Sequence, residues 1–286
     1  MIMKVFQEQV RHDEQSFRIL QLEVPAFQGA WHRHSHAELT WIESGHGLRF
    51  IGDNVSPFMK DDLVLLGPNL PHVWLSPPES EGMPHRTTVL QFKPDLFSVS
   101  HVPEWLTVEA LLTKASSGLV IADSFKPQIL PLLKRMPAAN ALSRLALLLE
   151  VLGLLAANSA YLKAIASDQS MRSKGLDRRI ETLIPWIQNH LHQQLSIEEA
   201  AKLVHVSPAS FSRFFRNSMG KPFTVYLNDL RCAEAGMQLR TNNKSIAQIA
   251  EVCGFQTLSH FNRQFRLRQG LSPREFRNHS TRTVAW

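Results

Sequence analysis

The chain has 286 residues, 44% of them hydrophobic, with a formal net charge of +6; that is enough for two domains with ordinary cores, and no apolar run reaches the ~18 residues a membrane span needs. The opening Met1-Ile-Met-Lys-Val-Phe-Gln-Glu-Gln lacks the long apolar segment of a secretory signal, and the two cysteines, Cys232 and Cys253, read as core residues of a reduced, cytoplasmic protein. The charge is uneven: residues 176–286 hold 15 Lys and Arg against 8 Asp and Glu, while the first 175 hold 16 against 17, which points to a phosphate-binding module joined to a neutral one with a different partner.

Residues 15 to about 97 read as short strands broken by Gly, Pro, Asn and Asp clusters, among them Phe17-Arg-Ile-Leu-Gln-Leu-Glu-Val, Leu39-Thr-Trp-Ile-Glu, Gly47-Leu-Arg-Phe-Ile-Gly, Leu63-Val-Leu-Leu and Thr87-Thr-Val-Leu-Gln-Phe. Even spacing of this kind predicts a small antiparallel barrel or jelly roll. Within it stands Trp31-His-Arg-His-Ser-His-Ala-Glu38. If that segment is extended, its period of two puts His32, His34, His36 and Glu38 on one face. With His72 they make a nitrogen and oxygen set suited to iron, manganese, zinc or nickel. Trp31, Trp41, Trp74 and Phe50 nearby could instead line a pocket for a small organic ligand.

The segment resembles the cupin fold. His32-x-His34-x3-Glu38-x6-Gly45 has the spacing of the first cupin motif, and His72 falls at the histidine of the second, although Asp61, Gly67 and Asn69 stand where metal-binding cupins usually have Gly, Pro and Gly. Three readings stay open: a divalent metal centre, a metal-free effector pocket built from the same groups, or structural remnants.

From Val102 to about Ser170 the composition turns helical, with helices expected over Glu104–Leu112, Phe125–Lys134 and Ala141–Tyr161. The last is so leucine-rich that it should bury more than one face, as an internal core helix or a homodimer interface. The stretch from Ser167 to Gly175 reads as a polar linker.

The C-terminal part writes one pattern twice. Ser196, Ile197 and Ala201 recur as Ser245, Ile246 and Ala250, 49 residues on; Phe211, Arg213, Phe215, Arg216 and Gly220 recur as Phe261, Arg263, Phe265, Arg266 and Gly270, 50 residues on, so one residue is added near the turn. Each copy opens with a short helix apolar at i, i+3, i+4 and i+7, and Ser207-Pro208 is a helix start. At 100° per residue Phe211, Phe214 and Phe215 face inward while Ala209, Ser212, Arg213 and Arg216 face outward; in the second copy Leu258, Phe261 and Phe265 oppose Ser259, His260 and Arg263. Such a face, small near its N-terminus and cationic beyond, suits a helix entering a major groove. A helix over Thr224–Arg240 would join the units.

Residues from about Gly175 to Asn278 resemble the DNA-binding domain of AraC/XylS-type transcription regulators through Leu195-Ser-Ile-Glu-Glu-Ala-Ala, Ser207-Pro-Ala-Ser-Phe-Ser-Arg-Phe-Phe-Arg, Gly220-Lys-Pro-Phe, Tyr226 with Leu230-Arg231, Ile246-Ala-Gln-Ile-Ala, Val252-Cys-Gly-Phe, Ser259-His-Phe-Asn-Arg-Gln-Phe-Arg and Gly270-Leu-Ser-Pro-Arg-Glu-Phe-Arg. The resemblance places base-reading positions at Ala209, Ser210, Ser212 and Arg213 and at Ser259, His260 and Arg263; Arg216 and Arg266 read as phosphate contacts. His205 stands where the family often has Gly.

The expectation is therefore an α+β chain of two domains: a cupin-like sensor at 1–100, a helical connector and linker at 101–175, and a double helix-turn-helix at 176–280. It implies a non-enzymatic, homodimeric regulator of promoter DNA, an activator controlled by a small-molecule effector such as a sugar derivative. RNA polymerase would be a further partner, no membrane would be involved, and no cofactor would be required beyond an optional divalent metal. The rival readings are a metal-dependent cupin enzyme and a regulator whose cupin is only a dimerisation scaffold.

Overall fold

A computed structural model of the chain describes residues 16–27, 31–76, 84–97, 101–166 and 178–283. The N-terminal Met1-to-Gln9 segment and the Ser167-to-Gly175 stretch lie outside the described residues. The strands are β1 (Phe17–Val24), β2 (Ala37–Ser44), β3 (Gly47–Ile51), β4 (Asn54–Phe58), β5 (Asp62–Leu66), β6 (His72–Leu75), β7 (His85–Phe92), β8 (Leu119–Ile121) and β9 (Leu162–Ala164). They pair in a six-stranded sheet of order β1-β7-β2-β5-β8-β9 and a three-stranded sheet of order β4-β3-β6.

Alternation along each strand sorts its residues between faces. In β2, Ala37, Leu39 and Trp41 join the core formed with the helices that follow, whereas Ile42 lies with Phe27, Ile51, Phe58, Val64, Leu66, Leu70 and Trp74 between the sheets. Of the expected barrel or jelly roll the structure shows two facing sheets without closure, because among the described residues no ladder joins one sheet to the other. The strand pattern signals how many strands there are, and closure depends on edge pairing that it does not encode. Two further strands, β8 and β9, come from the region read as wholly helical; at three residues each they are too short to show a period.

The helices α1 (Leu106–Ala115), α2 (Lys126–Arg135) and α3 (Ala141–Ala157) share one apolar cluster with the large sheet. Asn140 caps α3 by accepting from the Ser143 amide. Its leucines bury one side, Leu147, Leu148, Val151, Leu152 and Leu155, rather than the several expected; Leu142, Ala146, Leu149 and Gly153 form an exposed stripe, with Leu142 77% accessible.

The C-terminal part holds α4 (Arg178–Asn189), α5 (Ile197–Leu203), α6 (Pro208–Met219), α7 (Phe223–Thr241), α8 (Ile246–Val252), α9 (Leu258–Gln269) and α10 (Pro273–Thr283). Each short first helix opens with a capping box, Ser196 with Glu199 and Ser245 with Gln248. Each second helix is capped by a hydroxyl, Ser207 or Thr257, and ends on a left-handed glycine, Gly220 or Gly270.

The connecting helix α7 serves two cores: Phe223, Tyr226, Leu227, Leu230 and Ala233 belong to the first unit, Cys232, Ala235 and Leu239 to the second. Both cysteines are free and buried, and burial pushes the Cys232 thiol up to about 12. The first core also takes in Trp31, Leu48, Phe50, Val55 and Val73 of the small-sheet side, and α7 lies against β3 and β4. No helix among the described residues is long and apolar enough to cross a membrane.

Candidate nucleic-acid interface and histidine centre

The faces of α6 and α9 follow from where their phenylalanines are anchored. Phe211 and Phe215 in α6, like Phe261 and Phe265 in α9, are fully buried, each contributing about 2–3 kcal/mol by burial. In the first unit Phe211, Phe215, Phe223 and Tyr226 pack at centroid distances of 5.3–5.6 Å, Phe215 edge-on to Phe223 and Tyr226. The opposite sides are thereby turned out. Ala209, Ser210, Ser212, Arg213 and Arg216 are exposed on α6, and Ser259, Arg263 and Arg266 on α9.

Two residues depart from the wheel. Phe214 is half-buried with the Arg179 guanidinium 4.0 Å from its ring centre, and Leu258, expected inside, is 44% exposed because it starts α9 one turn before the core. His260 is half-buried against Phe255, with ring centres 5.7 Å apart; partial burial, then Arg263, Arg231 and Arg268, keep its imidazole below the ordinary value. It therefore offers a neutral ring with both donor and acceptor capacity.

The units differ at the turn. His205 takes φ +56° as a non-glycine residue in the left-handed region, and the corresponding Gly254 takes +83°. In the first copy α5 ends at Leu203 and α6 begins at Pro208; in the second α8 ends at Val252 and α9 begins at Leu258, so the added residue lies in this connection. A Cβ on Gly254 would lie 2.5 Å from the Leu191 carbonyl oxygen and 2.9 Å from Arg231 Nε. Arg231 itself donates to the carbonyls of Leu191 and Gln193, at 3.1 and 2.6 Å.

On the N-terminal side, His32, His34, Glu38 and His72 each bring a ligand atom within 4.8 Å of all the others. The run is not one strand: His32 and His72 form an isolated bridge, a bend follows at Ser35, and β2 begins at Ala37. Hence the shared-face expectation is corrected for His36, which lies outside the set, its carbonyl meeting His34 Nδ1 at 3.0 Å. The His72 Nδ1–H donates to the Leu70 carbonyl at 2.8 Å. These bonds orient both imidazoles with Nε2 toward Glu38, at 2.9 Å from His34 and 3.6 Å from His72.

Glu38 accepts further from Thr40 Oγ1 at 2.5 Å and Gln91 Nε2 at 3.0 Å. Burial would raise its carboxyl, but His72 and His34 beside it hold it well below the usual carboxylate range. His72 Nε2 is buried without a hydrogen-bond partner. Three imidazoles and an ionised carboxylate, two of the imidazoles held by their far nitrogens, fit a divalent cation.

The aromatic pocket expected around this centre is not assembled. Trp41 faces the helical side of the large sheet with Lys134 over its ring, and Trp31 and Phe50 join the first helix-turn-helix core. Only Trp74 lies beside His72, with ring centres 5.8 Å apart, and its Nε1 is buried without a partner. Gln91 escapes sequence reasoning; its one signal is a lone amide between Leu90 and Phe92. Asp61 and Asn69, standing where cupins usually have Gly, take φ +64° and +61°, so they keep the left-handed turns without the glycines.

A family profile described as a helix-turn-helix domain matches residues 200–279. The uncharacterized HTH-type transcriptional regulator YobQ of Bacillus subtilis is 38% identical over 95 residues, 33% of this chain and 39% of that protein. The HTH-type transcriptional activator RhaS of Escherichia fergusonii is 36% identical over 101 residues, 35% of this chain and 36% of that protein. Among solved structures, the DNA-binding domain of AdpA, a global transcriptional factor in complex with a target DNA, is 28% identical with a TM-score of 0.35, covering 36% of this chain and 92% of that one. The chain thus spans little more than a third of the length of these curated relatives. Residues 200–279, which hold α6, α9 and the helix α7 that joins them, form a helix-turn-helix region similar to those of these transcription regulators.

Proposed function

We propose that the chain is a transcription regulator that binds promoter DNA through α6 and α9. The observation that carries this reading is the pair of phenylalanine-anchored helices whose exposed faces both hold an arginine about one and a half turns from the helix start. Arg213 and Arg263 would read guanine, with Ala209, Ser210, Ser212, Ser259 and His260 beside them, while Arg216 and Arg266 would meet phosphate. The names of relatives such as RhaS support activation rather than repression, and the wider family resemblance leads to promoters of carbon-source genes, RNA polymerase as a partner and a cytoplasmic setting.

The N-terminal sheets would supply the control. The residues that fit a cation are His32, His34, Glu38 and His72, with Gln91 holding the carboxylate; iron, manganese, zinc or nickel would there act as a structural or sensory group. A small effector, a sugar derivative on the family resemblance, would bind beside it near Trp74. Two adjacent pairs support a path to the DNA side: Trp31 and Val73 belong to the first helix-turn-helix core, and the next residues, His32 and His72, belong to the histidine centre. Whatever moves one set bears on the other, and such coupling is reciprocal.

A homodimer would form on the α3 stripe of Leu142, Ala146, Leu149 and Gly153. Gly153 has open space around it, so a second helix could approach closely.

Nuclease protection of a duplex recovered from a random library by the full-length protein tests the reading. Two protected segments one helical turn apart on one side of the duplex are expected, alongside metal measured on the purified chain. Stoichiometric metal with no selected DNA would overturn it in favour of a metal-dependent enzyme.

A further inference from the structure

Because the two helix-turn-helix units have separate apolar cores, their relative orientation has to be held by something else. The connecting helix α7 is common to both, but a helix can seat a neighbour at more than one angle. Phe261 and Phe265 seat α9 on the Cys232, Ala235 and Leu239 side of α7, which fixes its middle and leaves its direction to interactions at its ends.

One such interaction stands at the C-terminal end of α9. Arg268 Nε donates to Asp229 Oδ1 at 2.6 Å, and its Nη2 to the Val225 carbonyl at 3.3 Å. Both partners lie on the half of α7 that packs into the first unit. The other oxygen of the same carboxylate accepts from Lys221 Nζ at 2.8 Å, and Lys221 follows the Gly220 cap of α6. One acid thus joins the end of the first reading helix to the end of the second, with each oxygen taking one cation. The side chains of Asp229 and Arg268 are 18% and 15% exposed, so the pair is shielded more than an ordinary surface ion pair.

The clasp is not part of the repeated pattern. Fifty residues before Arg268 stands Ser218, and fifty after Lys221 stands Leu271, so neither cation has a counterpart in the other copy. We infer that Asp229 is a positioning residue that sets the spacing and helical phase at which the two units read one duplex. It touches no base itself. Losing it leaves each unit able to read its own segment while removing the preference for one separation between them, so the gain from binding both at once falls.

This inference rests on the DNA-binding reading above, and the experiment separates the two. The full-length chain is assayed on a bipartite duplex selected from a random library, on each half alone, and on a series in which one to six base pairs are inserted between the halves. For the unsubstituted chain a sharp optimum at the selected spacing is expected. Asp229→Asn should lose about tenfold on the selected duplex, flatten the spacing profile and leave half-site affinity unchanged. Arg268→Gln should repeat that profile, which covers the case in which Asp229→Asn fails to fold, and Asp229→Glu should restore part of the optimum. An optimum as sharp in both variants as in the unsubstituted chain would overturn the inference and leave the DNA-binding reading intact. Failure of the unsubstituted chain to select any duplex would sink both.

Discussion

The two helix-turn-helix units have the same plan and different surroundings, and the turn between their short helices shows what the difference does. In the first unit the left-handed position is His205, exposed and free to carry a side chain. In the second it is Gly254, pressed against the Leu191 carbonyl and Arg231. The first turn needs only a backbone angle that a histidine can adopt at modest strain. The second needs that angle and also the missing Cβ, because it is where the second unit touches the segment leading into the first. A family preference for glycine at such turns therefore has two separable causes, and this chain shows one without the other.

The largest break in that symmetry should come from Gly254→Ala. A left-handed alanine costs roughly 1–2 kcal/mol, and the added methyl must also displace a backbone oxygen, so a loss of about 2–3 kcal/mol is expected in urea unfolding. Footprints of this variant should lose the second segment and keep the first. Equal loss of both segments would mean that the units do not fold apart.

Next in size are the two arginines proposed to read bases. Arg213→Ala and Arg263→Ala should each cost about 1–3 kcal/mol of affinity and relax preference at one position, in opposite halves of the selected duplex. Binding by arrays of single-base substitutions separates them; relaxation at the same position in both variants would refute the arrangement. Arg216→Ala and Arg266→Ala should instead weaken all sequences alike and reduce the salt slope by about 0.9 for each phosphate that is no longer neutralised.

Much of this was legible because periodicity reports burial directly. The 49- and 50-residue offsets, the capping serines and the buried Phe211, Phe215, Phe261 and Phe265 follow from local pattern. Leu258 and Phe214 depart from their expected places because a helical wheel assumes that the core extends along the whole helix. In the N-terminal part the grouping of His32, His34, Glu38 and His72 was legible in their spacing, but His36, Trp31 and Trp41 did not follow, since the bend at Ser35 breaks the period and alternation sends neighbouring residues to opposite faces. Gln91 and the Asp229 clasp are long-range pairings that no local pattern announces.

The smallest effect sharpens the comparison most. His205→Gly removes the strain of a non-glycine residue at φ +56° and adds the greater chain entropy of glycine in the unfolded state, two terms of similar size. A net gain of no more than about 0.5 kcal/mol is expected, with DNA affinity unchanged, because the position is exposed and lies in the turn before α6 rather than on its outward face. If the gain instead reached the ~2 kcal/mol set as the lower bound of the loss at Gly254, the backbone angle alone would account for both turns, and the close approach to Leu191 would lose its standing as the reason the second unit keeps its glycine.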